Sequence, residues 1–246
     1  MKVPTLRLDR LLGNMGYGSR KEIALLARRG GIVLDGAPLP DADRRIAVSA
    51  DLATRMTVAG EPLDPPPGLV ILMHKPLGVT CSHKEAGPLV YGLLPARWRR
   101  REPAISTVGR LDKETSGLLL LTDDGGYLHR VISPKRHVPK RYVARLARPL
   151  RGDEGAVFAA GTLLLEGEEK PLMPAVLEPL ADGQAALTVT EGRYHQVRRM
   201  FAAVGNHVEA LHRDRLGGLA LPADLAPGEF RVLGEGEAAQ VFASPA

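Results

Sequence analysis

Apolar residues near the amino terminus follow helical spacing and predict two short helices and a strand. The first helix is predicted by apolar positions three and four residues apart, namely Leu8, Leu11, Leu12 and Met15. A second helix begins at the capping box formed by Ser19 and Glu22, and Gly30-Gly31 is suited to ending it. Ile32–Leu34, followed by Asp35-Gly36, predicts a strand that enters a tight turn.

A proline-rich segment predicts where the chain divides. Residues 60–68 contain four prolines, which cannot form a helix or a central strand and favour an extended linker. The tail is small and polar enough to fray. The predicted division is a small unit, a linker, a larger unit and a tail, at residues 5–60, 61–68, 69–233 and 234–246.

The larger unit has the pattern of an α+β domain. Short apolar runs bounded by turn residues predict strands at Leu69–Met73, Leu118–Leu121 and Ala185–Val189. A helix is predicted from Tyr194 to Val204, and Gly205-Asn206 closes it. Its buried stripe follows the spacing i, i+3, i+4, i+7, at Val197, Met200, Phe201 and Val204.

Composition favours an ordinary globular protein with a polyanionic partner. The apolar fraction is 44% and the charged fraction 25%, and no apolar run is long enough for a membrane span. No signal peptide is predicted, and a single cysteine, Cys81, excludes an internal disulfide, so we expect a reducing cytoplasm. The net charge is +5 and the pI about 9.5, which favours nucleic acid as a partner.

Cations concentrate on the predicted helix pair of the small unit. They are Arg7, Arg10, Arg20, Lys21, Arg28 and Arg29. A solvated helix face is the ordinary fate of such residues, whereas an excess of cations over acids favours contact with phosphates. We favour phosphate contact.

Three polar segments could carry chemistry. In Gly109–Gly117, a turn-rich loop leads directly into a buried strand and presents Asp112, which could equally be a turn or cap residue. Lys140 and Tyr142 share one face of a predicted strand and could hold a phosphate and stack on a base, although an amphipathic strand has the same spacing. Glu191–Phe201 carries arginines at the start of a helix, where they could meet a carboxylate, a phosphate or solvent.

Other catalytic chemistries have weak signals. His195, His207 and His212 lack the spacing of a metal site, and Cys81 has the pattern of a small buried residue. Gly109 and Gly117 do not form a phosphate loop, because no Gly-Lys-Ser/Thr follows them. We therefore expect neither a metal nor a cofactor.

These segments together resemble the RsuA-type family of ribosomal RNA pseudouridine synthases. Gly109–Leu119 is similar to the family's aspartate motif, Lys140–Tyr142 to its Lys-x-Tyr motif, Glu191–Phe201 to its basic-helix motif and Lys75–Val79 to its Lys-Pro-x-Gly segment. The small unit resembles an S4 domain in Arg7–Asp9, Ser19-Arg20 and Val33–Gly36. The likeness covers residues 5 to about 233.

The resemblance implies a fold and a set of roles. The fold is an S4-type RNA-binding domain followed by a catalytic domain with a mixed, mainly antiparallel sheet flanked by helices. Asp112 is the implied nucleophile, Arg198 its charge partner, and Tyr142 the residue that stacks on the uracil or moves a proton. The implied RNA contacts are Arg110, Lys140, Arg193 and Arg199, with Arg7, Arg20, Lys21 and Arg28 in the S4-like unit.

Within the family, several segments are most similar to enzymes that modify small-subunit RNA. They are Gly192–Val197, Gly205–Val208 and Leu225–Glu229. We therefore expect a monomer that acts on 16S RNA at uridine 516, within a precursor of the small subunit. Arg198 instead matches synthases for large-subunit RNA, and Arg97–Arg101 either contacts RNA or is a solvated insertion. The alternatives are a large-subunit synthase and a non-catalytic S4-type assembly factor.

Overall fold

The chain forms two units, each with its own sheets and its own buried apolar residues. The structure is a computed structural model and describes residues 3–243. The first unit consists of residues up to 70 together with 91–106 and 121–125. The second consists of residues 71–90, 107–120 and 126 onward. Within residues 3–243, no helix is long and apolar enough to cross a membrane.

The first unit is built from short elements. They are β1 (Thr5–Arg7), α1 (Leu8–Asn14), α2 (Arg20–Arg28), β2 (Ile32–Leu34), β3 (Ala37–Pro38), β4 (Arg45–Ala47), α3 (Leu52–Arg55), β5 (Met56–Val58) and β6 (Glu61–Pro62). β1 pairs with β4, and the other strands form a sheet in the order β3-β2-β5-β6. A 3₁₀ turn at Trp98–Arg100 also belongs to this unit.

Local signals in the first unit are confirmed. The apolar stripe of α1 is fully buried, and α2 begins at Ser19, where both hydrogen bonds of the capping box form with Glu22. Asp35 and Gly36 both have positive φ, at 53° and 77°, as a tight hairpin turn between β2 and β3 requires.

The proline-rich segment is partly built into the first unit and is not simply a linker. β6 pairs with β5 as an edge strand, where proline is tolerated, and Leu63 is buried in the core. Asp64 receives a bidentate contact from Arg97, at 2.5 and 3.0 Å. A stretch that looked extended in sequence is therefore held by side-chain contacts.

The arginine-rich turn is docked against the α1–α2 connection. Arg97 lies over the ring of Tyr17, 4.3 Å from its centroid, and the Glu102 amide donates to the Asn14 carbonyl at 2.7 Å. Gly16 allows this approach, because a Cβ there would lie 2.5 Å from the Arg97 carbonyl oxygen. Arg99 and Arg100, between the anchored ends, are exposed.

A buried ion pair completes the first unit. Arg101 Nε lies 3.1 Å from Asp123 Oδ2, and both side chains are at least 98% buried. Arg101 also donates to the Pro65 carbonyl, while Asp123 accepts from the Gly68 amide. Desolvation raises the pKa of Asp123 and lowers that of Arg101, so burial opposes both charges and their pairing must offset it.

The second unit contains most of the remaining chain. Its elements are β7 (Val70–Lys75), β8 (Ser106–Thr107), β9 (Thr115–Thr122), α4 (Gly125–Ile132), β10 (Lys140–Leu146), α5 (Glu154–Ala159), β11 (Val176–Pro179), β12 (Gln184–Val189), α6 (Gln196–Ala203), β13 (Val208–Leu216), β14 (Leu219–Ala220), β15 (Phe230–Val232) and α7 (Glu235–Ala239). Further 3₁₀ turns lie at Val90–Leu93, Pro134–Arg136 and Gln240–Phe242.

A nine-stranded mixed sheet organises these elements. Its main path runs β11-β12-β10-β13-β9-β7-β15, with β14 beside β13 and β8 beside β9. β10 pairs antiparallel with β12 and β13, whereas β13 and β9 are parallel. The predicted α+β class, with a mixed and mainly antiparallel sheet flanked by helices, is confirmed.

Helix α6 is placed by its apolar stripe. Val197, Met200 and Phe201 are buried in a core cluster with residues of β10, β12 and β13. The predicted helix is therefore confirmed over Gln196–Ala203, and its buried stripe turns its first residues toward the end of the sheet where the 109–114 loop lies.

The prediction of a frayed tail is wrong for residues 234–243. α7 and the following turn pack on the second unit, with Ala238 and Val241 buried. The Tyr127 hydroxyl donates to the Ala238 carbonyl at 2.9 Å, a contact that sequence spacing does not show. Residues 244–246 of the predicted tail lie outside the described residues.

The buried pair gives a stability prediction. Asp123→Leu should lower the free energy of unfolding by ~3–5 kcal/mol, because it leaves the Arg101 charge buried without its partner. Adding Arg101→Met should recover much of the loss, since both charges are then absent. Urea unfolding of the two variants tests this, and a double variant no more stable than Asp123→Leu would contradict it.

Candidate active site

The loop that carries Asp112 precedes the central strand β9. β9 starts at Thr115 and runs parallel to β13, which it approaches closely at Gly117. A Cβ on Gly117 would lie 2.2 Å from the Arg213 carbonyl oxygen, and its φ of 113° also requires glycine. The close approach of β9 to β13 thus fixes where the 109–114 loop ends.

A buried lysine amine holds this loop from the protein side. The Lys75 side chain is fully buried, and its Nζ donates to the carbonyls of Pro76 and Thr115, each at 2.9 Å, and of Lys113 at 3.4 Å. Burial lowers the pKa of Lys75, while the nearby charges of Asp112 and Glu114 act in the opposite direction. The amine therefore ties the backbone that follows Asp112 to the segment at Pro76.

Asp112 lies at the protein surface facing a histidine. Its side chain is 36% exposed, and its Oδ1 lies 3.5 Å from His195 Nε2. The Thr115 amide donates to the Asp112 backbone carbonyl at 3.0 Å, so a turn does form here through the main chain and leaves the carboxylate available. The turn and the chemical interpretation of Asp112 are both compatible with this geometry.

Asp112 and Tyr142 line the same cavity, of about 840 Å³, a volume usual for ligand pockets. Arg110, Lys140, Arg193 and His195 also line it. The cavity therefore combines a carboxylate with an aromatic ring and several cations.

Arg213 is a further cation in this cavity, and it is buried. Its Nε donates to the Leu118 carbonyl at 2.9 Å, and its guanidinium lies 5.9 Å from the Tyr142 ring centroid. Within residues 3–243 its Nη2 is buried and has no hydrogen-bond partner, so one donor of a cavity-lining residue is left unsatisfied.

Lys140 is a second, partly buried cation of this cavity. Burial, together with the charge of Arg213, lowers the pKa of Lys140 to about 8, and its Nζ donates to the Val138 carbonyl at 2.9 Å. Lys140 and Tyr142 were predicted to share a strand face, and both line the cavity.

The expected ion pair between Arg198 and Asp112 does not form in this structure. Arg198 donates instead to the backbone carbonyls of Glu114, at 2.8 Å, and Val208, at 2.9 Å. Its position on the first turn of α6 brings it to the loop, but to the main-chain oxygen of Glu114, two residues beyond Asp112. Arg198 thus holds the loop and is not the charge partner of Asp112.

Three arginines expected to bind phosphate are occupied by protein carboxylates. Arg193 pairs with Glu168 and Glu191, and Arg199 also pairs with Glu168. In the first unit, Arg7 pairs with Asp9 and Asp43. These contacts revise the prediction for all three, because the guanidinium groups already hold the protein's own loops.

The other predicted contacts remain available. Four predicted contacts are exposed, and their side chains form none of the hydrogen bonds or ion pairs found among residues 3–243. They are Arg110 and, in the first unit, Arg20, Lys21 and Arg28. Within the same residues, no group of three His, Cys, Asp or Glu side chains is arranged to hold a metal ion.

Two site residues, His195 and Arg213, were missed by the sequence analysis. His195 was considered only as a metal ligand, although it lies inside the basic-helix segment that the analysis selected. Arg213 lies on β13, which was not predicted. A charged residue at an inward position among Val208, Leu211 and Leu216 was the signal that could have identified it.

The chain belongs to the RNA pseudouridylate synthase family, whose pattern it matches over residues 69–203. It is 40% identical over 240 residues to ribosomal small subunit pseudouridine synthase A of Escherichia coli K12, covering 96% of this chain and all of that protein. It is 39% identical to the uncharacterized RNA pseudouridine synthase YtzG of Bacillus subtilis, covering 94% and 96% of the two chains.

The fold agrees with this membership. A crystal structure of a pseudouridylate synthase superposes with a TM-score of 0.67 at 35% identity, covering 96% of this chain and 99% of the other. The protein is therefore a pseudouridine synthase, and the predicted family is confirmed.

The contacts of Lys75 give a prediction for this site. Lys75→Met should lower the free energy of unfolding by ~1–3 kcal/mol, because buried carbonyls lose their donor. It should also lower kcat about a hundredfold with little change in KM for RNA, since the loop that presents Asp112 is less well held.

Urea unfolding and single-turnover isomerisation measure these effects. The exposed Lys135 provides a matched control, and Lys135→Met should leave the unfolding free energy within ~0.5 kcal/mol of the wild type. A Lys75→Met protein with normal kcat would show that the amine does not position the loop.

Proposed function

We propose that the protein isomerises uridine to pseudouridine in ribosomal RNA with Asp112 as the nucleophile. The observation that carries this proposal is the placement of Asp112 at a cavity with Tyr142, Lys140 and Arg213, in a chain of this family. An ionised carboxylate can form a transient covalent link with the nucleoside and so divide one difficult step into easier ones.

The reaction needs no net oxidation or reduction. The bond between uracil N1 and ribose C1′ breaks, the base turns, and C5 bonds to C1′. C5 then loses its proton and N1 gains one, so that atoms and charge balance. In this reaction the protein must hold the extruded base while the base turns.

Tyr142 and Arg213 are suited to holding the base. The Tyr142 ring offers a stacking surface, and the unpartnered Arg213 Nη2 can donate to a uracil carbonyl or a phosphate oxygen. The target must first leave its stack, which costs a few kcal/mol that RNA contacts must offset.

We assign these wider RNA contacts in part to the first unit as an S4-like domain. Arg20, Lys21 and Arg28 are exposed on α2, and within residues 3–243 none of their side chains forms an ion pair with a carboxylate. Their charges are therefore available to phosphates, each of which releases counterions on binding.

We further propose that the substrate is small-subunit RNA, at uridine 516 of the 16S molecule. The support is the similarity over the full length to proteins named ribosomal small subunit pseudouridine synthase A, in Escherichia coli and Vibrio cholerae. On this proposal the enzyme works as a monomer in the cytoplasm, where the small subunit is assembled.

The nucleophile is tested by Asp112→Asn. This variant should bind RNA with near wild-type affinity but form no pseudouridine, because an amide cannot replace the carboxylate as a nucleophile. Asp182→Asn is a matched control on an exposed turn and should keep full activity. Conversion by Asp112→Asn at the wild-type rate would disprove the assignment.

The substrate is tested by chemical mapping of pseudouridine. Ribosomal RNA from cells with and without the gene should differ at uridine 516 of the small-subunit RNA. A difference confined to the large-subunit RNA would show that the substrate is that RNA, while the proposed isomerisation would still hold. No difference in either RNA would favour a non-catalytic role.

The lowered pKa of Lys140 predicts a pH dependence. Lys140 is charged below its pKa of about 8 and neutral above it, so its phosphate contact should be lost as the pH rises through that value. RNA affinity should fall about tenfold, ~1.4 kcal/mol, from about pH 7 to about pH 9.

Unfolding cannot explain such a loss. Because the folded-state pKa of Lys140 lies below its ordinary value, neutralising the buried amine stabilises the fold as the pH rises. Lys140→Arg keeps its charge over this range and should show a flat profile in the same binding titration. Identical profiles for the two proteins would rule out this role for Lys140.

A further inference from the structure

The most exposed aromatic side chain within residues 3–243 lies at the catalytic cavity. Tyr194 is 73% exposed and lines the cavity that contains Asp112. Aromatic residues are only 4% of the sequence, and nearly all the others are wholly or partly buried. A large ring left mostly in solvent at this position buries little of its apolar surface against the protein, which favours a ligand.

Tyr194 is stacked on His195. The two rings are nearly parallel, with an interplanar angle of 14° and centroids 3.9 Å apart. One face of the Tyr194 ring is therefore covered by the imidazole. Since the side chain is still largely exposed, its other face is open to solvent.

The backbone at His195 is held in an unfavourable conformation. Its φ of 49° and ψ of 32° are left-handed, a region that is sterically unfavourable for a residue with a Cβ. His195 precedes α6 but makes no capping hydrogen bond with its side chain. The conformation instead stacks the imidazole on Tyr194 and points its Nε2 toward Asp112.

The turn that carries the two rings is rigidly held. Arg193 donates to the carbonyls of Lys170 and Pro171 and pairs with two glutamates. Gln196 accepts from the Arg193 amide at 2.9 Å, and Arg199 donates to the Tyr194 carbonyl at 3.2 Å. The arginines that are not free for phosphate thus support the turn.

We propose that the Tyr194–His195 stack is a binding site for the unpaired base next to the target uridine. The inference rests on the proposed function in taking RNA as the ligand and the cavity as the place of the target uridine. A preformed aromatic face binds a base with little loss of entropy, and stacking tolerates any base because every base has a π face. While the uridine occupies the cavity, a neighbouring nucleotide is within reach of its mouth.

The chemistry favours a nucleobase over other occupants. The open ring face is flat and apolar, and the nearby Arg110 and Lys113 are exposed cations suited to the phosphates on either side of a base. The site thus takes single-stranded or splayed RNA and excludes a base that stays paired in a helix.

Substitution of Tyr194 tests the platform. Base stacking is worth ~1–3 kcal/mol, so Tyr194→Ala should raise the Kd for an RNA fragment containing the target uridine by about 5-fold to about 150-fold. Tyr194→Phe keeps the ring and should remain within about twofold. Val176→Ala, at a side chain 59% exposed on β11, is the matched surface control and should not change the Kd.

An abasic site in the RNA identifies the stacked base. The wild-type protein should bind RNA that is abasic at the 5′ or 3′ neighbour of the target more weakly, by the same factor as Tyr194→Ala weakens binding to intact RNA. On that abasic RNA, Tyr194→Ala should cause no further loss of affinity. With 2-aminopurine at that position, binding should quench fluorescence for wild type and Tyr194→Phe but not for Tyr194→Ala.

The outcomes separate this site from the catalytic proposal. Unchanged affinity of Tyr194→Ala for RNA would disprove the proposed base-binding site. So would affinity losses from the substitution and from the abasic site that add fully at both neighbouring positions. The readouts are Kd and fluorescence, which do not require catalysis. They therefore test the Tyr194 site independently of the role of Asp112. Loss of conversion in Asp112→Asn with an unchanged fluorescence response would support both.

Discussion

The active site depends on one buried charge. The Lys75 amine is removed from solvent and donates to the main-chain carbonyls of Lys113 and Thr115, just after Asp112, so the carboxylate can stay exposed while the backbone beside it is held. A buried lysine is costly unless its donors are satisfied, and these carbonyls satisfy them. Gly117 and Arg213 add the second constraint, since β9 and β13 approach too closely for any side chain at residue 117. The loop is thereby fixed where it enters β9.

The roles of the arginines follow from what surrounds them and not from their positions in motifs. Arg193 and Arg199 belong to the segment that resembles the family's basic-helix motif, yet carboxylates and carbonyls of the protein neutralise both. Arg198 meets a loop carbonyl, whereas the unassigned Arg213 lies in the cavity with a free donor. Net charge alone does not separate these cases, because a paired guanidinium and a free one contribute equally to it.

The first unit shows how distant segments of a chain can share one core. The proline-rich stretch and the 97–101 turn are far apart in sequence, but Asp64, Arg97, Arg101 and Asp123 tie them together. Gly16 makes room for the turn. Such contacts form only when distant segments come together in the folded chain, so no local pattern indicates them. The prolines alone therefore predicted a linker.

The sequence by itself determined the helices α1, α2 and α6, the capping box at Ser19, the hairpin turn at Asp35-Gly36 and the family to which the chain belongs. These features depend on residue spacing and local chemistry, which can be recognised from the sequence alone. Only the tertiary structure decided that His195 faces Asp112, that Arg198 does not pair with it, that Arg213 enters the cavity, and that the tail folds as α7. Each of these depends on which strands become neighbours, and strand pairing brings together residues that no periodicity relates.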